Sequence, residues 1–386
     1  MTRHDGSHAA RLGRAMRTPL LAALALLITL FASPAAPAWL VAAYIQGYVF
    51  VPSAETPAIS VIDTDTDRIV GTLHIDIVPR QVEVSRELAK LVATDGRAAL
   101  SVLNVSGGAL KEIVLPNLAQ RLVLGSRGRI LAAIDLAAGA IALVDLDTDR
   151  VRTKIAGLPP LRDVMFANQD TLIFYAAEGL AGIGMIDVMS GEHVGEIVLG
   201  AIGTEIATLT RTPSDRQALA QPQGGGTIAV LDLERRQAID HIEAGPGAGP
   251  AVPSGTGRVL LIPEPSRQAL VVRSERLVQP VRLRGASVVT GIYTAWLDSV
   301  GFVASAALHR LLVYDLDRPS LSGEITLPGT PLRGAVTSDS RKLYLPLMDP
   351  PKLMVVDGQS QRVVATIALP STPLAAIVAG GWGVCH

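Results

Sequence analysis

Four arginines follow a recurring acid-ended phrase at almost one spacing. Arg80, Arg121 and Arg162 stand 17 residues after Asp63, Asn104 and Asp145, and Arg333 stands 18 after Asp315. A guanidinium offers a planar fork of donors that matches a carboxylate or phosphate bidentately, so a converging set of them suits a small anionic ligand. Acids stand in the same repeats, at Glu55, Asp95, Asp135, Glu178, Glu264 and Asp349. They offer the other use of such a cluster, ordinary pairing, which contributes about 0–1 kcal/mol at a surface and serves no ligand. His309 falls in an expected loop on the arginine-bearing side, where it either joins that site or is simply solvated. A second set closes the sequence: Cys385 and His386 follow Gly380, Gly381 and Gly383. Thiolate and imidazole are zinc and copper ligands, but no His-x-His or Cys-x-x-Cys supplements them. An inert tail, a metal or cofactor contact at Cys385 and His386, and a reactive or partner-linked thiol all stay open.

The elements that would position these residues are written in eight copies of one phrase, an apolar run ending in a polar residue. Its last positions are Asp63, Asn104, Asp145, Asp187, Asp232, Arg273, Asp315 and Asp357, which lie 41, 41, 42, 45, 41, 42 and 42 residues apart. A period near forty, with several short β-rich runs bounded by Gly, Pro, Asp and Ser in each unit, is the signature of a propeller. The expected fold is all-β, a single β-propeller of eight four-stranded blades, with seven as the alternative count. The first unit begins at its second strand and the last ends with an inner-type strand at 374–378. The final strand must therefore complete the first blade, so that the ring closes and no sheet edge is left open. The acids ending the phrase are turn residues, since aspartate accepts N–H bonds from the turn that follows it. Asn104 can do the same and Arg273 cannot, so the sixth phrase should have an altered turn. Each arginine then lies where a loop enters the innermost strand, at one mouth of the central channel.

Composition agrees with stacked sheets and excludes several functions. Charged residues are 18% of the chain, against about 25% in typical domains, and hydrophobic residues are 49%. Strands packed on both faces read as continuous apolar runs, which accounts for the difference. A net charge of −1, with no basic cluster interleaved with aromatics, argues against nucleic acid and against an anionic membrane surface. Aromatics at 4% leave few stacking platforms for sugars. One cysteine excludes an intramolecular disulfide and a Cys-x-x-Cys-His haem attachment. The glycine runs at 224–226 and 245–249 lie between strands and not before a helix, so they are not phosphate loops. No Gly-x-Ser-x-Gly elbow marks a hydrolase.

Residues 1–38 are read as a secretory leader. Arg3, Arg11, Arg14 and Arg17 form a basic region, Leu20 to Phe31 is a largely apolar stretch of 12, and Ala36-Pro37-Ala38 supplies small residues for cleavage. Twelve such residues are short for a bilayer. An uncleaved anchor extended through Trp39 to Tyr44 is interrupted by Pro34 and Pro37. The expected organisation is a signal peptide at 1–38, a propeller at 39–379 and a glycine-rich tail at 380–386 ending Cys-His. The expected compartment is the periplasm or the exterior.

The phrases Tyr48-Val49-Phe50-Val51-Pro52-Ser53, Ile59-Ser60-Val61-Ile62-Asp63-Thr64 and Arg68-Ile69-Val70-Gly71-Thr72-Leu73 resemble the YVTN repeat of bacterial surface and periplasmic propellers, and Val363-Val364-Ala365-Thr366-Ile367 repeats the last of them. The resemblance covers 47 to about 379. Many members have seven blades where this chain has eight units, and the eight-bladed propeller of cytochrome cd1 nitrite reductase is a more distant likeness. Tryptophan stands only at Trp39, Trp296 and Trp382, so the docking pattern of quinoprotein alcohol dehydrogenases is missing. The resemblance bears on fold more than on function, and the leading reading is a non-catalytic periplasmic scaffold whose loops on the arginine-bearing face recognise a small anionic ligand or a periplasmic protein. The alternative is a cofactor-linked redox protein carrying haem or a transition metal, or a maturation factor for one. Neither nucleic acid nor, once the leader is removed, a membrane is an expected partner. Expressed in a bacterium with its leader, the chain should yield mature protein starting at Trp39 in the periplasmic fraction. N-terminal sequencing checks this, and intact Met1 protein in the membrane fraction would favour an anchor.

Overall fold

The computed structural model describes residues 40, 42–199 and 205–380. They form eight four-stranded antiparallel sheets, the blades of an eight-bladed propeller. Blade 1 runs from its outer edge inward as Arg68–His74, Ala58–Asp63, Tyr48–Pro52 and Ile377–Val378. The other seven run outward in chain order. Blade 2, for example, is Gln81–Ser85, Lys90–Thr94, Ala99–Asn104 and Leu110–Val114. The count is eight, as the repeats imply, and not seven.

Burial follows the strand's place in the blade. Tyr48–Pro52 and Lys90–Thr94 are buried at every position, whereas the outer strand Leu110–Val114 buries only Ile113. Both faces of the middle strands are covered because each interface between successive blades holds its own apolar cluster. Between blades 1 and 2 it is built on Phe50, Ile59, Val61, Leu91 and Ala93. Between blades 8 and 1 it is built on Val49, Val51, Ile62, Tyr344 and Val355.

Closure is achieved by backbone pairing and by a polar lock. Phe50 pairs with Ile377 and Val49 with Val378. The same segment reaches both neighbours: Ala376 N–H donates to Arg333 O at 2.9 Å in blade 8, and Gly380 N–H to Val84 O at 2.8 Å in blade 2. At the blade 8–1 interface, Lys342 Nζ donates to Thr64 O and Asp67 Oδ2, each at 2.8 Å, and the Tyr344 hydroxyl also bonds Asp67. Lys90 occupies the corresponding ladder position in blade 2 and donates to Asp149 of blade 3 at 2.7 Å.

The phrase-ending residues are turn caps. Asp63 Oδ1 accepts the N–H groups of Asp65 and Thr66, Asn104 those of Ser106 and Gly107, and Asp315 those of Asp317 and Arg318. The Ser190 N–H bonded to Asp187 holds that carboxyl below its ordinary range against partial burial. In blade 6, where Arg273 cannot cap, Ser274 takes over and its Oγ accepts Arg276 N–H at 3.3 Å. Most blades carry a β-bulge between the two outer strands, for example at Val61/Ile62 in blade 1, but in blades 2 and 6 that pairing runs without one.

Deleting residues 370–386 removes the innermost strand of blade 1 and exposes the edge of Tyr48–Pro52. The truncated protein should aggregate or lose its cooperative thermal transition in circular dichroism and light scattering. A soluble, cooperatively unfolding truncation would show that closure does not hold the ring.

Candidate functional site

An antiparallel meander sends the loops entering each innermost strand, and the loops between second and third strands, to one end of the ring. All four arginines are at that end. Their equal spacing in sequence does not give equal positions in the ladder. Gln81 pairs with Thr94, Arg121 with Ile134, Asp163 with Ala176 and Thr208 with Gln221, and each partner is four residues beyond the one facing the phrase-ending residue. By this register Arg121 is equivalent to Gln81 and Asp163, and Arg80 to Gln120. Arg80 N–H and Gln120 N–H make the same bond, to Thr94 O and Ile134 O at 2.7 and 2.9 Å. The missing bulge in blade 2 shortens the path into blade 3 by one residue, which moves Arg121 one rung inward. Arg333 shares that inner rung, since Leu332 N–H bonds Pro346 O at 2.9 Å. Arg162 stands within a bulge, between Leu161 and Asp163.

The inner rung is polar and coupled. Gln81 Nε2 donates to Glu83 Oε1 and to Leu122 O, each at 2.8 Å, and Gln81 Oε1 accepts Leu122 N–H at 2.8 Å. This one side chain stitches blades 2 and 3 and fixes Glu83. Burial pushes the Glu83 carboxyl above its ordinary range, while the Gln81 bond and the charges of Arg333 and Arg121 pull the other way. Arg121 Nη1 lies 2.7 Å from Asp163 Oδ1. Asp163 also accepts Val164 N–H at 2.8 Å and Leu209 N–H at 2.7 Å. It is almost fully buried, and desolvation raises its pKa despite Arg121 and those two bonds. Tyr293, whose hydroxyl accepts Gly334 N–H at 2.7 Å, is pushed up to about 12 by burial, opposed by that bond and by Arg333.

Arg162 is occupied: it bonds Glu205, reaches Gln223 Oε1 at 2.8 Å and lies 3.9 Å from Glu178. Arg80 and Arg333 are exposed, and neither side chain has a hydrogen bond or ion pair among the described residues. Arg80 lies over Gly96, whose φ of +92° favours glycine and where a Cβ would come within 3.3 Å of Arg80 Nη1. Four of the six acids that stand in the same repeats are used elsewhere. Asp95 pairs with Arg97, Asp135 caps Ala138 N–H, Glu55 accepts the Thr372 hydroxyl, and Glu264 holds Arg282 and Arg267. His309 sits exposed in its turn in blade 7 with no side-chain partner among the described residues. Cys385 and His386 lie outside the described residues. Among the described residues no group of three His, Cys, Asp or Glu side chains is placed to hold a metal ion.

Sequence reading missed Gln81, Glu83, Asp163, Tyr293 and Glu205. Glu205 had a signal, since it stands 18 residues after Asp187, the offset of Arg333 after Asp315, with the opposite charge. The others are visible only once the ladder register is known.

No family model matches the chain, and no curated protein sequence matches it. The resemblance to the YVTN family therefore rests on the repeat residues. Solved structures do match. Dihydro-heme d1 dehydrogenase NirN in complex with DHE has a TM-score of 0.70 at 14% identity, covering 93% of this chain and 86% of that one. Apo AztD from Citrobacter koseri has a TM-score of 0.63 at 13% identity, covering 86% and 97%. Kuenenia stuttgartiensis hydrazine synthase has a TM-score of 0.54 at 11% identity, covering 76% and 96%. At such identities the likeness shows the fold alone. Among the described residues no helix is long and apolar enough to cross a membrane.

A carboxyl whose folded pKa is raised holds its proton to higher pH than in the unfolded chain, so its ionisation costs stability as pH rises through the folded value. Glu83→Gln should therefore match the wild type in melting temperature at about pH 4, near the ordinary glutamate value, and exceed it increasingly toward pH 8. Parallel melting curves across that range check the sign. A variant less stable at pH 8 than the wild type would show that Glu83 is held as a stabilising anion.

Proposed function

We propose that the chain is a non-catalytic, periplasmic, YVTN-type propeller whose arginine-bearing face holds a small anionic ligand. The observation that carries this reading is the pair of guanidinium groups at Arg80 and Arg333, left without acid partners among the described residues at the end of the ring where Gln81, Arg121 and Asp163 form a polar rung. Like charges brought to one mouth favour an anion, and a closed ring presents them with little reorganisation. The basic, apolar and small-residue order of positions 1–38, read as a secretory leader, supports the periplasmic assignment. A small ligand is preferred to a protein partner because the free donors are few and set close to the channel.

The second reading, a cofactor-linked redox protein or a maturation factor for one, draws on fold neighbours whose names refer to a haem d1 compound and to hydrazine synthesis. In this chain Arg80 and Arg333 are groups suited to acidic substituents of such a cofactor, and His309 is a histidine on the same face. Haem or a transition metal would supply the redox step when bound.

Titration calorimetry with a C4 dicarboxylate, phosphate and haem should find at least one saturable ligand. Arg333→Ala and Arg80→Ala should each weaken it about tenfold or more, as expected for removal of one charge-assisted hydrogen bond. Equal affinity in wild type and both variants overturns the assignment. An absorption band in the haem Soret region, or stoichiometric metal, in protein purified from its native compartment would favour the second reading.

A further inference from the structure

The interface of blades 1 and 2 contains a cavity of about 200 Å³ that opens at the loop end, away from the inner rung. It is lined by Asp76 from the loop joining the two blades, Asp95 and Arg97 from the turn after Lys90–Thr94, and Ala99, Ser101 and Glu112 from the two outer strands of blade 2. Three carboxylates and one guanidinium leave a formal charge of −2. Ser101 and Glu112 are directly opposed in the ladder, so their side chains project from the same face of the sheet. That face is turned toward blade 1, because Leu100 and Val102 on the other face belong to the apolar cluster shared with blade 3. At the floor, Ser101 is 2% exposed and its Oγ has no hydrogen-bond partner among the described residues. A buried hydroxyl is rarely left in that condition, and here it lies beneath carboxylates in a space large enough for a small molecule.

We propose that this cavity binds a small organic ammonium ion, a short aliphatic diamine in preference to a monoamine. An ammonium group is a donor without an acceptor, which complements an unpartnered hydroxyl oxygen flanked by carboxylates. The carboxylates are not gathered tightly enough to hold a metal ion, whereas a flexible dication can span them and match the charge of −2. Arg97 already shows the attraction. It lies 2.5 Å from Asp95, and the charges of Glu112 and Asp76 add to that bond in holding its proton, yet its side chain is 75% exposed. It is a rim cation that competes with a ligand for the same carboxylates.

The test is calorimetry on the full chain with 1,4-diaminobutane, butylamine and magnesium chloride at fixed ionic strength. The diamine should bind saturably at one site and about tenfold tighter than butylamine, while magnesium should not displace it. Glu112→Gln and Asp76→Asn should each weaken the diamine about tenfold, since each removes one carboxylate facing an ammonium group. Ser101→Ala should weaken it with an unchanged melting transition, and Arg97→Gln should tighten it. Arg333→Ala should leave it unaffected, which separates this site from the anion site. Absence of saturable binding at millimolar diamine, equal displacement by magnesium, or indifference to Glu112→Gln and Asp76→Asn overturns the proposal.

Discussion

A ring of sheets is stable only if its last interface is as good as the others, and here that depends on two residues, Ile377 and Val378, pairing with a strand more than three hundred positions earlier. Without that pairing the first blade would offer an open edge and the cluster around Val49, Val51 and Ile62 would lose one wall. The chain reinforces the join. The segment from Ala375 to Gly380 bonds blade 8 on one side and blade 2 on the other, and Lys342 and Tyr344 hold Asp67 across the same seam. A closed ring has no soft direction, so groups placed on its inner rung keep their relative positions.

That rigidity makes an otherwise costly arrangement tenable. Asp163 is nearly solvent-free and Glu83 is half-buried, and both carboxyls are shifted upward by desolvation. Asp163 is tolerated because two backbone N–H groups and Arg121 converge on it, and removing a partner from such a buried charge costs about 3–5 kcal/mol. Arg121 is therefore committed to the fold as well as to the field around the channel. Arg333, on the same rung, has no such partner among the described residues.

The two candidate sites divide the loop end by charge. Arg80 and Arg333, unpaired among the described residues, stand at the loop end, and carboxylates line the cavity between blades 1 and 2, with Arg97 at its rim. In blade 2 the outer pairing lacks its bulge. Ala99 and Ser101, which line the cavity, are small, as are the matching Ala58 and Ser60 of blade 1.

The sequence by itself determined the architecture, because period, apolar runs and turn residues are local. Eight phrases, the capping role of Asp63 and its equivalents, the altered turn at Arg273 and the closing strand are all legible without coordinates, since each is set by neighbours within a few residues or by simple count. It also placed Arg80, Arg121, Arg162 and Arg333 at one end of the ring. What it could not determine is which of them share a rung. That is set by a single bulge residue, absent in blade 2, and a bulge changes register without changing the residue pattern. The partners were hidden for the same reason. Asp163 meets Arg121, Glu205 meets Arg162, and Gln81 meets Leu122 across blades some forty residues apart, at contacts that exist only once the ring is closed.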